Sequence, residues 1–292
     1  MRSVLLVVNP ASRGGEAGAE QALRAFHGLG VRCEVARTAR AGHAAEIAGE
    51  RAAAHDAVFT FGGDGTAMEV VGALAGSAVR VGILPGGTGN QLAKYLGTPS
   101  GVGRAVRALV SGGEVRIDLG VLSSGRRFAI TSGIGMDTTT IAGASSQAKR
   151  RFGVGAYFWS GLRALAGAER HVVRATVDGV QYERECALAM IANVGTLLGG
   201  LISLGPAVRT DDGLLDLCLF SARTPLEGLD NMRRCLTRDF RPHPRMLFAR
   251  GREITIETER PTLSQADGEL LDMEPLHALA EPLAARLLRP AR

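Results

Sequence analysis

The chain has 292 residues, 46% of them hydrophobic and 22% charged, with a formal net charge of +5. That length and balance suit one large or two ordinary globular domains, and no apolar run reaches the roughly 18 residues of a membrane span. Four scattered cysteines without a C-x-x-C pair argue against a zinc site or disulfide framework and point to a reducing cytoplasm.

Residues 4–8 form a continuous apolar run, as expected of a central strand in a parallel sheet. The run stops at Asn9-Pro10-Ala11-Ser12-Arg13-Gly14-Gly15, after which residues 17–29 carry helical spacing. A second strand is predicted over 31–36 and a second helix over 42–54. Residues 57–61 read as a third strand, broken by Gly62-Gly63-Asp64-Gly65-Thr66, with a helix following over 67–74. Residues 79–84 make the fourth strand. It ends in Pro85-Gly86-Gly87-Thr88-Gly89-Asn90, with helices predicted over 91–96 and 102–110. The alternation predicts a doubly wound α/β nucleotide-binding domain, with three small-residue loops gathered at the C-terminal strand ends where such sheets take ligands.

Near Ile117-Asp118-Leu119-Gly120 the texture changes. Strands over 127–131, 172–177, 186–192, 214–220 and 253–257, with a hairpin signal at Asp178-Gly179, predict an antiparallel sandwich or barrel. One helix is expected over 155–168, and the tail from 275 shows little pattern beyond a last strand over 284–288. The expected division is an α/β domain over 1–121 and a β-rich sandwich domain over 122–292, whose tail could pack back on the first.

The Gly62–Thr66 turn carries the clearest chemistry. Backbone N–H groups at a strand-to-helix turn face outward beside the positive end of the helix dipole, which suits a phosphate. Glycine lets the phosphate approach the main chain. Asp64 would repel that phosphate unless a cation lay between them, so the turn reads as a nucleotide-phosphate site using a divalent cation. No Gly-Lys-Ser/Thr follows the glycines, so this is not a P-loop, and the first turn lacks a dinucleotide fingerprint. Thr66 and Thr88 can donate hydroxyls to phosphate and Asn9 can orient its loop or touch the nucleotide; each serves equally well as a cap or turn residue. The basic surplus favours an anionic partner, and without aromatic platforms between the basic residues nucleic acid is not expected.

In these motifs the chain resembles the diacylglycerol kinase catalytic-domain family, which includes bacterial lipid kinases and sphingosine and ceramide kinases. The matching residues are Asn9 to Gly15, Thr38 with Gly42-His43-Ala44, Phe61 to Thr66, Leu84 to Asn90, Asn193, Pro206-Ala207, Asp211 to Asp216 and Asp267-Gly268-Glu269. The resemblance implies an α/β ATP domain, of the kind shared with NAD kinases, then a β-rich lipid-substrate domain, with the active site in a cleft between them. It implies ATP and Mg2+ as cofactors, and an ATP site lined by Asn9, Thr38, Gly62, Gly63, Asp64, Gly65, Thr66, Ala67, Met68, Gly87, Thr88 and Asn90. It implies Asp267 as the base that takes the proton of a lipid hydroxyl. Asp64 is assigned to the magnesium and phosphate network. The Asp267-Gly268 pair also reads as a hairpin turn between Leu263 and Leu270. The resemblance further implies a structural cation held by Asp212 and the carbonyls of Arg209 and Leu214, where a solvated turn is the alternative.

Two positions depart from the family pattern. Gln91 stands where many bacterial members carry an aspartate, which blurs the substrate class, and Met68 stands where asparagine is frequent. Diacylglycerol is the expected acceptor; sphingoid-base or ceramide kinase, NAD kinase and a catalytically silent nucleotide- or lipid-binding regulator are the alternatives. Basic stretches at Lys149-Arg150-Arg151 and over 233–250 could meet the inner face of a membrane, where the lipid substrate would lie, and edge strands of the β-rich half could pair in a homodimer.

Overall fold

The computed structural model describes residues 1–135, 170–260, 262–271 and 275–291. The helix expected over 155–168 and the basic run Lys149-Arg150-Arg151 lie outside those residues. The chain divides into two compact units: Met1–Leu119 with Leu197–Gly200 and Glu281–Arg292, and Gly120–Thr196 with Leu201–Ala280.

In the first unit β1 (Ser3–Val8), α1 (Gly15–Gly28), β2 (Arg32–Arg37), α2 (His43–Arg51), β3 (Ala57–Gly62), α3 (Asp64–Ala73), β4 (Arg80–Pro85), α4 (Gln91–Tyr95) and α5 (Val102–Val110) follow in the predicted alternation. The sheet order is β2-β1-β3-β4, all parallel, and the end of the strand Leu276–Arg289 joins beside β4 through Leu287 and Val81. Val4 to Val8 are all 0% exposed, as burial on both faces of a parallel sheet requires. Val4, Leu6 and Val8 share a core with Phe59, Phe61, Phe26 of α1 and Leu109 of α5; Phe26 meets Phe59 edge-on at 4.8 Å. The intervening Leu5 and Val7 point to the other face, where α2 and α3 pack on each other.

The second unit is a β-sandwich. One antiparallel sheet runs Met246–Gly251, Leu215–Phe220, Leu188–Ala192, Thr131–Ile134, Ser264–Ala266, Glu269–Leu271. Facing strands include His171–Val177, Val180–Cys186 and Glu253–Thr258. Ile191, Leu217 and Leu219 from the first sheet pack with Val173, Ala175, Ile254 and Ile256 from the second. The strand predicted over 127–131 is split into Arg127–Phe128 and Thr131–Ile134. A helix over Pro225–Thr237 was not anticipated, although its signal is explicit in the sequence. Thr224 caps it by accepting the Glu227 amide N–H, Pro225 occupies the first turn, and Glu227 reaches back to accept the Arg223 amide N–H; this is a capping box.

Helix α1 rests on Phe61 through glycine. A Cβ at Gly18 would lie 2.1 Å from the Phe61 ring, and one at Gly14 2.6 Å from it. Gly18→Ala should therefore destabilise the fold by about 1–3 kcal/mol through overpacking. Phe61→Leu in the same chain should recover part of that loss, read as the midpoint of chemical denaturation.

Candidate functional site

The three loops named from sequence do converge, and main-chain hydrogen bonds join them. The Asn9 amide donates to the Phe61 carbonyl (2.9 Å), the Gly86 amide to the Gly62 carbonyl (3.0 Å) and the Gly14 amide to the Gly86 carbonyl (3.4 Å). Asn9 Nδ2 donates to Thr66 Oγ1 at 3.2 Å, while Asn9 Oδ1 accepts the Ala11 amide. Two residues expected to line an ATP site thus hold each other. Glycine is required where the turns touch: a Cβ on Gly87 would lie 2.6 Å from Gly63 Cα, and one on Gly89 2.5 Å from Asp64 Oδ2. Thr38 is drawn to the same edge, its amide donating to the Val8 carbonyl.

Helix α3 starts at Asp64, and its first main-chain bond is donated by Ala67 to the Gly63 carbonyl. The amides of Asp64, Gly65 and Thr66 precede that bond and have no partner within the helix. Gly63, Asp64 and Gly65 are half-buried, whereas Thr66 and Ala67 are buried and Thr88 is exposed. Asp64 turns its carboxylate to the start of α4, where Oδ1 accepts the Gln91 amide at 2.6 Å and the Leu92 amide at 3.4 Å. Burial pushes the Asp64 carboxyl above its ordinary value, against the pull of those amides and of Lys94. Asn90, in the left-handed region at φ 49°, closes the Pro85–Asn90 loop by accepting the Gly87 amide and donating to the Gly87 carbonyl.

Two contributors, Glu69 and Ser12, went unread in the sequence, and Gln91 makes a contact its sequence reading does not include. Glu69 caps α2, its carboxylate accepting the amides of Gly42 (2.9 Å) and Ala44 (3.0 Å). The Ser12 hydroxyl is buried in the first loop with no hydrogen-bond partner among the described residues. Gln91 Oε1 accepts the Leu198 amide at 3.1 Å, so the neutral residue at this departure from the family pattern fastens the 197–200 segment to the start of α4. Met68, the other departure, is half-buried on α3.

In the second unit, Asp267 and Gly268 form the two-residue turn between Ser264–Ala266 and Glu269–Leu271, at φ 49° and 85°. That is the backbone an Asp-Gly hairpin supplies. The turn presents the carboxylate to the gap in the split strand. Asp267 Oδ1 accepts the Ile130 and Thr131 amides, both at 2.9 Å, and Oδ2 the Ala129 amide at 2.8 Å. The hairpin-turn reading of Asp267-Gly268 is the one the backbone shows. Asp178-Gly179 repeats it, at φ 47° and 84°, with the Asp178 carboxylate accepting the Arg252 and Glu253 amides.

Of the groups implied to hold a structural cation, the Asp212 carboxylate is the one with partners among the described contacts. Asp212 Oδ1 accepts the Leu214 amide at 3.2 Å, Asp212 Oδ2 accepts from Arg250 at 2.9 Å, and the Arg209 side chain pairs with Asp211. A guanidinium thus lies on the one carboxylate of the implied set.

Comparison with known proteins agrees with both halves. The model of the diacylglycerol kinase catalytic domain matches residues 3–122, and that of the YegS C-terminal NAD kinase beta sandwich-like domain matches 130–289. A YegS-like probable lipid kinase of Pseudomonas syringae pv. tomato is 31% identical over 90% of this chain and 85% of its own length. A diacylglycerol kinase of Bacillus subtilis is 27% identical over 87% of this chain and 85% of its own. An uncharacterized Synechocystis protein is 25% identical over 80% of this chain, which spans only 54% of that relative. The crystal structure of a candidate diacylglycerol kinase from Bacillus anthracis str. Sterne superposes with a TM-score of 0.83 at 26% identity, covering 99% of this chain and 97% of that one.

Asp64→Ala should lower stability by about 1 kcal/mol, the cost of an emptied cap, while Asp64→Asn, which keeps an acceptor, should cost less. Because burial raises the Asp64 carboxyl, wild type should compare best with Asp64→Asn below the ordinary carboxylate range. That margin should shrink as pH rises through the folded-state value; urea melts at several pH values read it.

Proposed function

Since the chain belongs to the diacylglycerol kinase and YegS family of lipid kinases, we propose that it transfers the γ-phosphoryl group of ATP to a lipid hydroxyl, with diacylglycerol the first acceptor. The observation that carries the reading is the joining of the Asn9, Gly62 and Pro85 loops around the first amides of α3. Such amides suit the phosphates of a nucleotide arriving as its magnesium complex. Asn9, Thr38, Gly62, Gly63, Gly65, Thr66, Gly87, Thr88 and Asn90 belong to or border that surface, the Ser12 hydroxyl supplies a further donor, and Asp64 holds α4 against it.

The acceptor oxygen forms a bond to the γ-phosphorus as the bond from that phosphorus to the β,γ-bridging oxygen breaks, and ADP leaves. The hydroxyl proton passes to Asp267. Phosphoryl transfer through a loose transition state asks more of placement than of basicity, and a carboxylate oriented by three amides meets that need. A lipid acceptor presents its hydroxyl at a bilayer surface, where each cationic side chain gains roughly 1 kcal/mol from anionic lipid. The exposed Arg233 and Arg241 are candidates for that role.

Incubating the protein with labelled ATP and, separately, micelles of diacylglycerol, sphingosine or ceramide, or with NAD, tests the acceptor; label in NAD alone would overturn the lipid reading. Asp267→Asn should keep ATP affinity while turnover falls about 10²–10⁴-fold, the range for a lost proton acceptor. Asp178→Asn, which disturbs the matching turn, controls for structural damage and should leave turnover unchanged. Near-normal turnover in Asp267→Asn removes that residue from the reaction.

A further inference from the structure

The Asp212 carboxylate, one of the three groups implied to hold a structural cation, is gripped by an arginine. Arg250 lies directly opposite Asp216 in the register of Leu215–Phe220 with Met246–Gly251, so the sheet itself aims the arginine at the turn preceding Leu215. Its Nη2 donates to the Ala207 carbonyl at 2.8 Å, to Asp212 Oδ2 at 2.9 Å and to Asp216 Oδ2 at 3.3 Å. Its Nε donates to Asp216 Oδ1 at 3.2 Å. One main-chain carbonyl and two carboxylates converge on one positive group, which are the hard oxygen donors a magnesium or calcium ion gathers. Here the planar guanidinium gathers them, with a two-point grip on Asp216.

Asp216 is only 5% exposed. A carboxylate so placed needs an opposite charge beside it, and Arg250 supplies one through those two bonds. A divalent ion bound to Asp212 Oδ2 would sit within contact distance of a guanidinium of the same sign, which disfavours joint occupancy. An ion on that oxygen would compete with Arg250 for it.

We propose that Arg250 is a built-in cation for the 207–216 turn, so that the second unit holds this turn without a divalent ion. Any magnesium the reaction needs then enters with the nucleotide alone. The inference does not rest on the kinase reading, because its primary measurement uses neither nucleotide nor lipid.

The test is thermal unfolding of the full chain, free of nucleotide, in chelator, in millimolar Mg2+ and in millimolar Ca2+. Wild type should melt at the same temperature in all three. Arg250→Ala should melt lower by roughly 2–8 °C, discounted for the arginine's partial exposure, and should regain part of that loss in Ca2+ or Mg2+, as the freed oxygens take the ion. Arg250→Lys should fall between the two, keeping the charge without the planar fork. A wild-type melting temperature that climbs with either ion overturns the proposal, whether or not the variants fold. An Arg250→Ala protein that melts like wild type, or folds yet ignores both ions, overturns it as well.

Discussion

The first unit depends on how closely two strand ends approach. Where β3 and β4 finish, the main chain at Gly62-Gly63 lies against that at Gly86-Gly87, near enough that a methyl group on Gly87 would overlap Gly63 Cα. This contact keeps two loops of unrelated sequence in fixed relation. The Gly86 amide closes on the Gly62 carbonyl, Asp64 reaches the start of α4, and the Asn9 loop closes over the same edge through the Phe61 carbonyl and Thr66 hydroxyl. Each bond is ordinary in strength. Together they determine where the first amides of α3 point, and a side chain at either turn would separate the loops before any ligand arrived.

A second regularity runs through the sandwich. Two Asp-Gly turns, at 178 and 267, place aspartate in the left-handed region and turn its carboxylate onto amides of a neighbouring strand. The physics is the same in both: a short polar side chain tolerates positive φ, and unpaired amides next to a hairpin need an acceptor. At Asp178 the acceptor meets the start of Glu253–Thr258. At Asp267 it meets amides exposed by a break in a strand. The difference lies in what surrounds the turn, which explains why an Asp-Gly pair in sequence cannot declare its own purpose.

The parallel sheet was legible because β1 and β3 are largely apolar runs, ended by Asn9-Pro10 and by Gly62-Gly63, which leaves few alternatives for residues 4–8 and 57–61. The loops at Asn9, Gly62 and Pro85 were legible for the same reason. Less visible were contacts made between segments distant in the chain. Nothing near Glu69 announces that it caps α2, and nothing near Gln91 points to Leu198. The break at Ala129-Ile130 was hidden because their side chains suit a strand while their amides serve Asp267. The helix Pro225–Thr237 is the opposite case, since Thr-Pro-Leu-Glu spells its start and only its placement among strands obscured it. Arg250 could not be matched to Asp212 and Asp216 without the strand register.

The last strand, Leu276–Arg289, bears on how the molecule comes together. Its final residues complete the sheet beside β4, and fully buried Asp118 receives the Leu283 amide at 2.7 Å. The first unit is therefore built from Met1–Leu119 and finished by Glu281–Arg292, with all of the second unit interposed between those pieces. On a ribosome the α/β layer would emerge early yet stay short of one strand, with an edge open to pairing, until the whole sandwich had been made. Such a long excursion favours the sandwich closing first and slows completion of the layer that precedes it.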